Sequence, residues 1–215
     1  MKHSPPDAAK KSGPTGPHGD ELDCENVKAQ FEILKNQINP HFLFNSFNTL
    51  LELIELDSAK AADFVRHLSK VYRFVLQTRN HPLARLGEEW AILESYLFLL
   101  KARFGEHLKV TMELSEIALG KSVVPLTLQI LLEHALGHNV ASEMMPLDIS
   151  IISLPGDESI RFTNSIQEKR SVPSPGPGLE NIIRRYRLVS DAKVAIEKSE
   201  TEFAVTVPLI DPFGD

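Results

Sequence analysis

A proline stands inside what is otherwise a helical seam. Apolar residues fall at Val27, Phe31, Leu34 and Ile38, the heptad-like beat of an amphipathic helix. Pro40 interrupts it, and the beat resumes, rephased, at Phe44, Phe47, Leu51 and Ile54. Proline lacks an amide donor and clashes with the preceding turn, which costs a helix interior about 3 kcal/mol or more. The spacing predicts one long helix, kinked or rephased at Pro40, with His41 directly after the break. Backbone strain of this kind gathers at functional sites. Imidazole titrates near ~6.5, so neutral His41 is an available nucleophile at cellular pH.

The pattern on either side sets the organisation. Residues 1–22 are rich in proline and glycine, without a stripe, and read as a flexible tail or linker. After a turn capped by Asp57 or Ser58, a second helix over about 59–77 carries Ala61, Val65, Leu68, Tyr72 and Val75 as its expected buried stripe. Asn80-His81-Pro82 ends it. A third helix buries Leu86, Trp90, Leu93, Leu97, Leu100 and Phe104, with Gly105 as its C-cap.

Beyond Gly105 the texture changes. Residues 107–114 alternate as a half-buried strand. A helix follows from Pro125, placed in its first turn, to about Gly137. Two strands are joined at Pro155-Gly156-Asp157, a helix spans about 179–189, and a hairpin over 193–208 closes the chain. The fold class is α+β, helices first.

Composition excludes some classes. The 23 Lys and Arg against 29 Asp and Glu leave a net charge of −6, which disfavours nucleic acid as a partner. A single cysteine, Cys24, excludes an internal disulfide and fits a reducing compartment. No apolar run reaches the roughly 20 residues of a membrane span, so this segment is expected to make no membrane contact. It reads as cytoplasmic, or as the cytoplasmic part of an inner-membrane protein.

Three blocks carry chemistry. The first, Gln37-Ile38-Asn39-Pro40-His41-Phe42-Leu43-Phe44-Asn45, resembles the phosphoacceptor segment of LytS/YehU-type bacterial sensor histidine kinases. The resemblance implies that His41 accepts a phosphoryl group and that the flanking hairpin dimerises into a four-helix bundle. Asn45 stands at the offset where other histidine kinases place an asparagine or threonine with a phosphatase role. The second block, 128–139, resembles the N-box of GHKL ATPases. Glu133 matches the glutamate that acts as base or polariser, and His138 and Asn139 fit variants ending in His-Asn. His134 occupies the position of the asparagine that ligates Mg²⁺. Mg²⁺ prefers oxygen ligands, and imidazole suits softer metals. The His134/His138 pair alone is too few ligands for zinc.

The third block, Gly176-Pro177-Gly178-Leu179-Glu180-Asn181, with Arg184 and Arg185 behind it, resembles the G2 segment of the same kinases. Glycines there let backbone approach phosphates at a helix N-terminus. The resemblance assigns Gly176, Gly178, Leu179, Asn181 and Arg185 to nucleotide. The usual Asp-x-Gly-x-Gly box is missing. Asn164 stands at its strand end, and an amide oxygen can accept the same hydrogen bond from adenine.

The resemblance implies a dimerisation and phosphoacceptor domain over 23–85 and a Bergerat-type α/β sandwich over 86–215. ATP and Mg²⁺ are the implied cofactors, and a homodimer mate and a response regulator receiver domain the implied partners. The implied reaction moves the ATP γ-phosphate to His41 and then to an aspartate of the regulator. The alternative is a catalytically weak scaffold acting by dimerisation, which substitution at position 134 favours.

Overall fold

The computed structural model describes residues 40–78, 81–167 and 178–211. The tail over 1–22, the expected helical stretch from Val27 and the glycine-rich segment containing Gly176 lie outside them. The chain divides into two units, Met1–Asn45 and Ser46–Asp215.

Helix α1 spans Pro40–Leu56. Asp57 separates α1 from α2 (Ser58–Thr78) and accepts from the amides of Ala59 and Lys60 at 3.1 Å each, which meets the expected cap. The buried stripe of α2 is Ala61, Phe64, Leu68, Val71, Val75 and Thr78. That corrects two expected positions: Val65 is exposed, and Tyr72 sits at the half-buried margin. Both stripes share Ala61, Leu68 and Val75, so the helix is turned towards the preceding neighbour at each disputed position.

Helix α3 (Leu86–Phe104) packs along α2. It buries Leu86, Glu89, Leu93, Ser95, Tyr96, Leu99 and Leu100, whereas Trp90, Leu97 and Phe104 are only half-buried. Gly105 ends it at φ +55°, its amide donating to the carbonyl of Lys101, as glycine permits.

A mixed sheet forms the second layer. Strand β2 (Leu108–Glu113) runs parallel to β4 (Leu147–Ser153), with Leu108 opposite Leu147. Strand β4 pairs antiparallel with β5 (Ser159–Ser165) through the turn at Gly156 and Asp157, both at positive φ. Strand β5 pairs antiparallel with β7 (Glu202–Pro208), and β7 with the edge strand β6 (Ala195–Lys198). Leu147, Ile149 and Ile151 on β4 alternate into the core, as do Ile160, Phe162 and Asn164 on β5, so one face is covered and the other is wet.

The covering helices are α5 (Thr127–His138) and α6 (Gly178–Val189), with α5 also packed on α3. Pro125 lies before α5 rather than in its first turn. Leu126 between them adopts φ +69°, a left-handed conformation unfavourable for leucine. Three short elements escape a periodicity argument. Two-residue strands β1 (Ala84–Arg85) and β3 (Ser122–Val123) pair with each other, and α4 (Glu116–Gly120) is capped by Ser115.

Candidate functional site

Glu133 lies in the middle of α5, where it meets α3. Its Oε1 accepts from Tyr96 Oη at 3.0 Å and from Gln129 Nε2 at 2.9 Å. Tyr72 of α2 approaches the same carboxylate, and its phenol is pushed up to about 12 by burial and then by the charge of Glu133.

His134, one residue on, turns towards the sheet. Its ring is tilted against His138 at 4.4 Å between centroids and against Phe203 of β7 at 5.0 Å. Burial, with His138 as the second cause, pulls its pKa down to about 4, so the imidazole is neutral at cellular pH. A neutral nitrogen wedged between two rings does not fit the hard, oxygen-preferring Mg²⁺. Among the described residues no group of three His, Cys, Asp or Glu could hold a metal ion together.

Asn164 is directly opposite Phe203 in the β5–β7 ladder, and opposite residues of an antiparallel pair share a face. It therefore stands beside the ring that His134 touches. It is 2% exposed; its Nδ2 donates to the carbonyl of Ser165 at 2.8 Å, and its Oδ1 has no partner. A buried carbonyl oxygen left unpaired costs about 1–3 kcal/mol, and such an orphan fits a ligand donor. The exocyclic amine of adenine is a donor of that kind. Nucleotide fits at this corner; Mg²⁺ at position 134 does not.

Asn139 and Arg185 have protein partners for the groups expected to meet nucleotide. Asn139 donates to the carbonyl of Ala135 at 2.9 Å and accepts the amide of Gln167 at 2.7 Å, tying the end of α5 to the segment after β5. Arg185 Nη1 donates to the carbonyl of Pro125 at 3.0 Å, beside the buried Glu89. Gly178 opens α6, and a Cβ there would stand 2.9 Å from Ile130 Cγ2, so its glycine lets α6 close on α5. Leu179 is half-buried and Asn181 exposed on the same helix. His41 is the second residue of α1 and Asn45 lies one turn later, both in the first unit. The structure thus brings His134 and Asn164 to the α5–β7 contact at Phe203, with His138 against His134, while Glu133 faces α3 through Tyr96.

Two residues here had no motif. Tyr96 was hidden beside the apolar Leu97. Glu89 is a carboxylate on a buried stripe, 3% exposed, bonded to the amides of Leu126 at 2.5 Å and Leu128 at 3.3 Å. A charge three residues after Leu86 on an apolar face was the available signal.

Residues 29–108 match the histidine kinase family. The sensor protein LytS of Staphylococcus haemolyticus (strain JCSC1435) is 29% identical over 194 residues, 83% of this chain and 33% of its own length. The sensor protein kinase HptS of Staphylococcus aureus (strain USA300) is 33% identical over 122 residues, 57% of this chain and 23% of its own. The chain therefore spans a third or less of the length of these relatives. Among solved structures, the catalytic domain of the histidine kinase ThkA aligns with 60% of this chain and 97% of its own, at 16% identity and a TM-score of 0.40.

Proposed function

We propose, from its similarity to the LytS-type sensor histidine kinases, that this chain is the catalytic core of a two-component sensor. It transfers the γ-phosphate of ATP to His41 and then to an aspartate of a response regulator. The observation that carries this reading is the buried, unpartnered Oδ1 of Asn164 on β5, beside the α5–β7 contact; Glu133 lies on α5 itself, on the side that meets α3. In the reaction, a ring nitrogen of His41 forms the bond to phosphorus as the bond to the β-phosphate oxygen breaks and ADP leaves. The proton on the other ring nitrogen departs to a base. Asn164 Oδ1 accepts from the adenine amine, and Glu133 acts as base or polariser. Position 134, a neutral imidazole packed between two rings, does not fit Mg²⁺.

By role, residues 23–85 serve as dimerisation and phosphoacceptor domain and 86–215 as nucleotide domain. The dimer proposal is supported by α1, whose Phe44, Phe47, Leu51 and Ile54 lie 49–70% exposed along one helical stripe. Contiguous exposed apolar surface marks an interface. No helix among the described residues is long and apolar enough to cross a membrane. The proposed setting is the cytoplasmic part of a membrane-anchored sensor.

The test is an ATP titration, with and without Mg²⁺, followed by phosphoryl labelling. Label that is acid-labile, and lost in His41→Gln while ATP affinity is kept, supports the reading. Absence of ATP binding sinks it. A second reading, a weakly catalytic dimeric scaffold, is favoured by the neutral, ring-packed His134. It expects ATP binding without label.

A further inference from the structure

We propose that Tyr96 is a positioning residue for Glu133, holding its carboxylate in the orientation that phosphoryl transfer to His41 requires. The inference rests on the kinase reading above. Two donors converge on one carboxylate oxygen, Tyr96 Oη from α3 and Gln129 Nε2 from one turn earlier on α5. They are unequal anchors. Gln129 has its own Oε1 buried without a partner, so its amide is turned to suit Glu133 at a loss elsewhere. Tyr96 is 2% exposed, on the stripe of α3 with Leu93, Leu99 and Leu100. A ring so enclosed cannot swing without displacing its neighbours, and its hydroxyl is a fixed point.

The chemistry of the donor suits the task. Burial, then the neighbouring Glu133, raises the Tyr96 phenol well above its ordinary value, so it keeps its proton and remains a donor at any working pH. A neutral phenol orients a carboxylate without cancelling its charge, which an arginine or lysine would do. Of the two phenols near Glu133, only Tyr96 bonds it; the Tyr72 hydroxyl is buried without a partner. A base or polariser acts through direction, and a displacement of about 1 Å can cost a hundredfold in rate. Tyr96 therefore acts through Glu133, reaching across 37 residues of sequence.

The experiment is a double-mutant cycle on the full chain with ATP and Mg²⁺, reading the single-turnover rate of His41 labelling, ATP affinity and melting temperature. Tyr96→Phe removes the donor and keeps the ring. Glu133→Asp keeps a carboxylate but withdraws it by one methylene from the Tyr96 hydroxyl. Tyr96→Phe is expected to slow labelling roughly tenfold, to leave ATP affinity within twofold, and to have no further effect in the Glu133→Asp background. Equal slowing in both backgrounds, or labelling at the parent rate, overturns the inference and leaves the kinase reading standing. A parent that never labels His41 overturns both. Should Tyr96→Phe fail to fold, 3-fluorotyrosine at position 96 keeps the shape and alters the donor. It must change the rate in the parent background and leave it unchanged in the Glu133→Asp background, and any other result overturns the proposal.

Discussion

Glu89 is a buried acid at the head of the helix that carries Glu133, and its titration should be visible in the stability of the whole second unit. Burial raises its pKa from the usual 4.5 to about 7, against the pull of the Leu126 and Leu128 amides and Arg185. A folded-state value above the unfolded one means that the folded chain holds the proton more tightly. The stabilisation is therefore complete below pH 4.5 and lost as pH rises through 7. A rise from 4.5 to about 7 corresponds to about 3 kcal/mol, or roughly 6–12 °C in melting temperature for a chain of this size. Glu89→Gln removes the titration. It also leaves one of the two amides without an acceptor, because the two bonds go to different oxygens, at about 1–3 kcal/mol.

The variant should therefore melt below the parent at about pH 5 and draw level with it or pass it by about pH 8. His134 works in the opposite sense. Its depressed pKa gives stability present above pH 6.5 and lost as pH falls towards 4. The parent curve alone mixes the two, and the difference between parent and Glu89→Gln isolates Glu89. Calorimetry across roughly pH 4.5–8 measures it. Two curves that run parallel throughout that range would refute the argument.

His134→Asn is expected to tighten Mg²⁺-dependent ATP binding or to speed labelling of His41, since an amide oxygen replaces a ring nitrogen; calorimetric titration that shows weaker binding and slower labelling ends that idea. Asn164→Leu should weaken ATP binding roughly tenfold or more with little net change in melting temperature, because it deletes an unpaired buried oxygen together with the Nδ2 bond to the Ser165 carbonyl; unchanged affinity would move the adenine site elsewhere. Leu51→Asp places a charge on the exposed stripe of α1, and light scattering should then find a 24.0 kDa particle where the parent is twice that mass. A parent that is already monomeric at micromolar concentration contradicts the interface.

The helices were legible because their apolar periods are long, and the β4–β5 hairpin because Gly156 and Asp157 announce a turn. What sequence could not decide was which of two adjacent apolar residues faces inward. Phe64 is buried and Val65 is not, Val71 is buried ahead of Tyr72, and Tyr96 ahead of Leu97. Each pair is apolar throughout, so the choice belongs to the partner helix. Asn164 was legible as the polar end of a strand, but its burial was not, because the strand runs on to Ser165. Nor was the Glu89 bond to Leu126, since it joins residues 37 apart and no local pattern encodes it. The two-residue strands β1 and β3 are shorter than one period of any signal.

The parallel ladder between β2 and β4 has a consequence for how the chain reaches this fold. The hairpins β4–β5 and β6–β7 close through short turns, and the α2–α3 pair is likewise local. Strand β2 must instead wait for residues 114–146, including all of α5, to cross before it meets β4. Long closures and parallel pairing are slow. Until that ladder forms, β4 is an open edge carrying Ile149, Ile151 and Ile152, and an open apolar edge recruits other strands. The chain is thus most prone to aggregate during synthesis in the interval between the closing of the β4–β5 hairpin and the docking of β2.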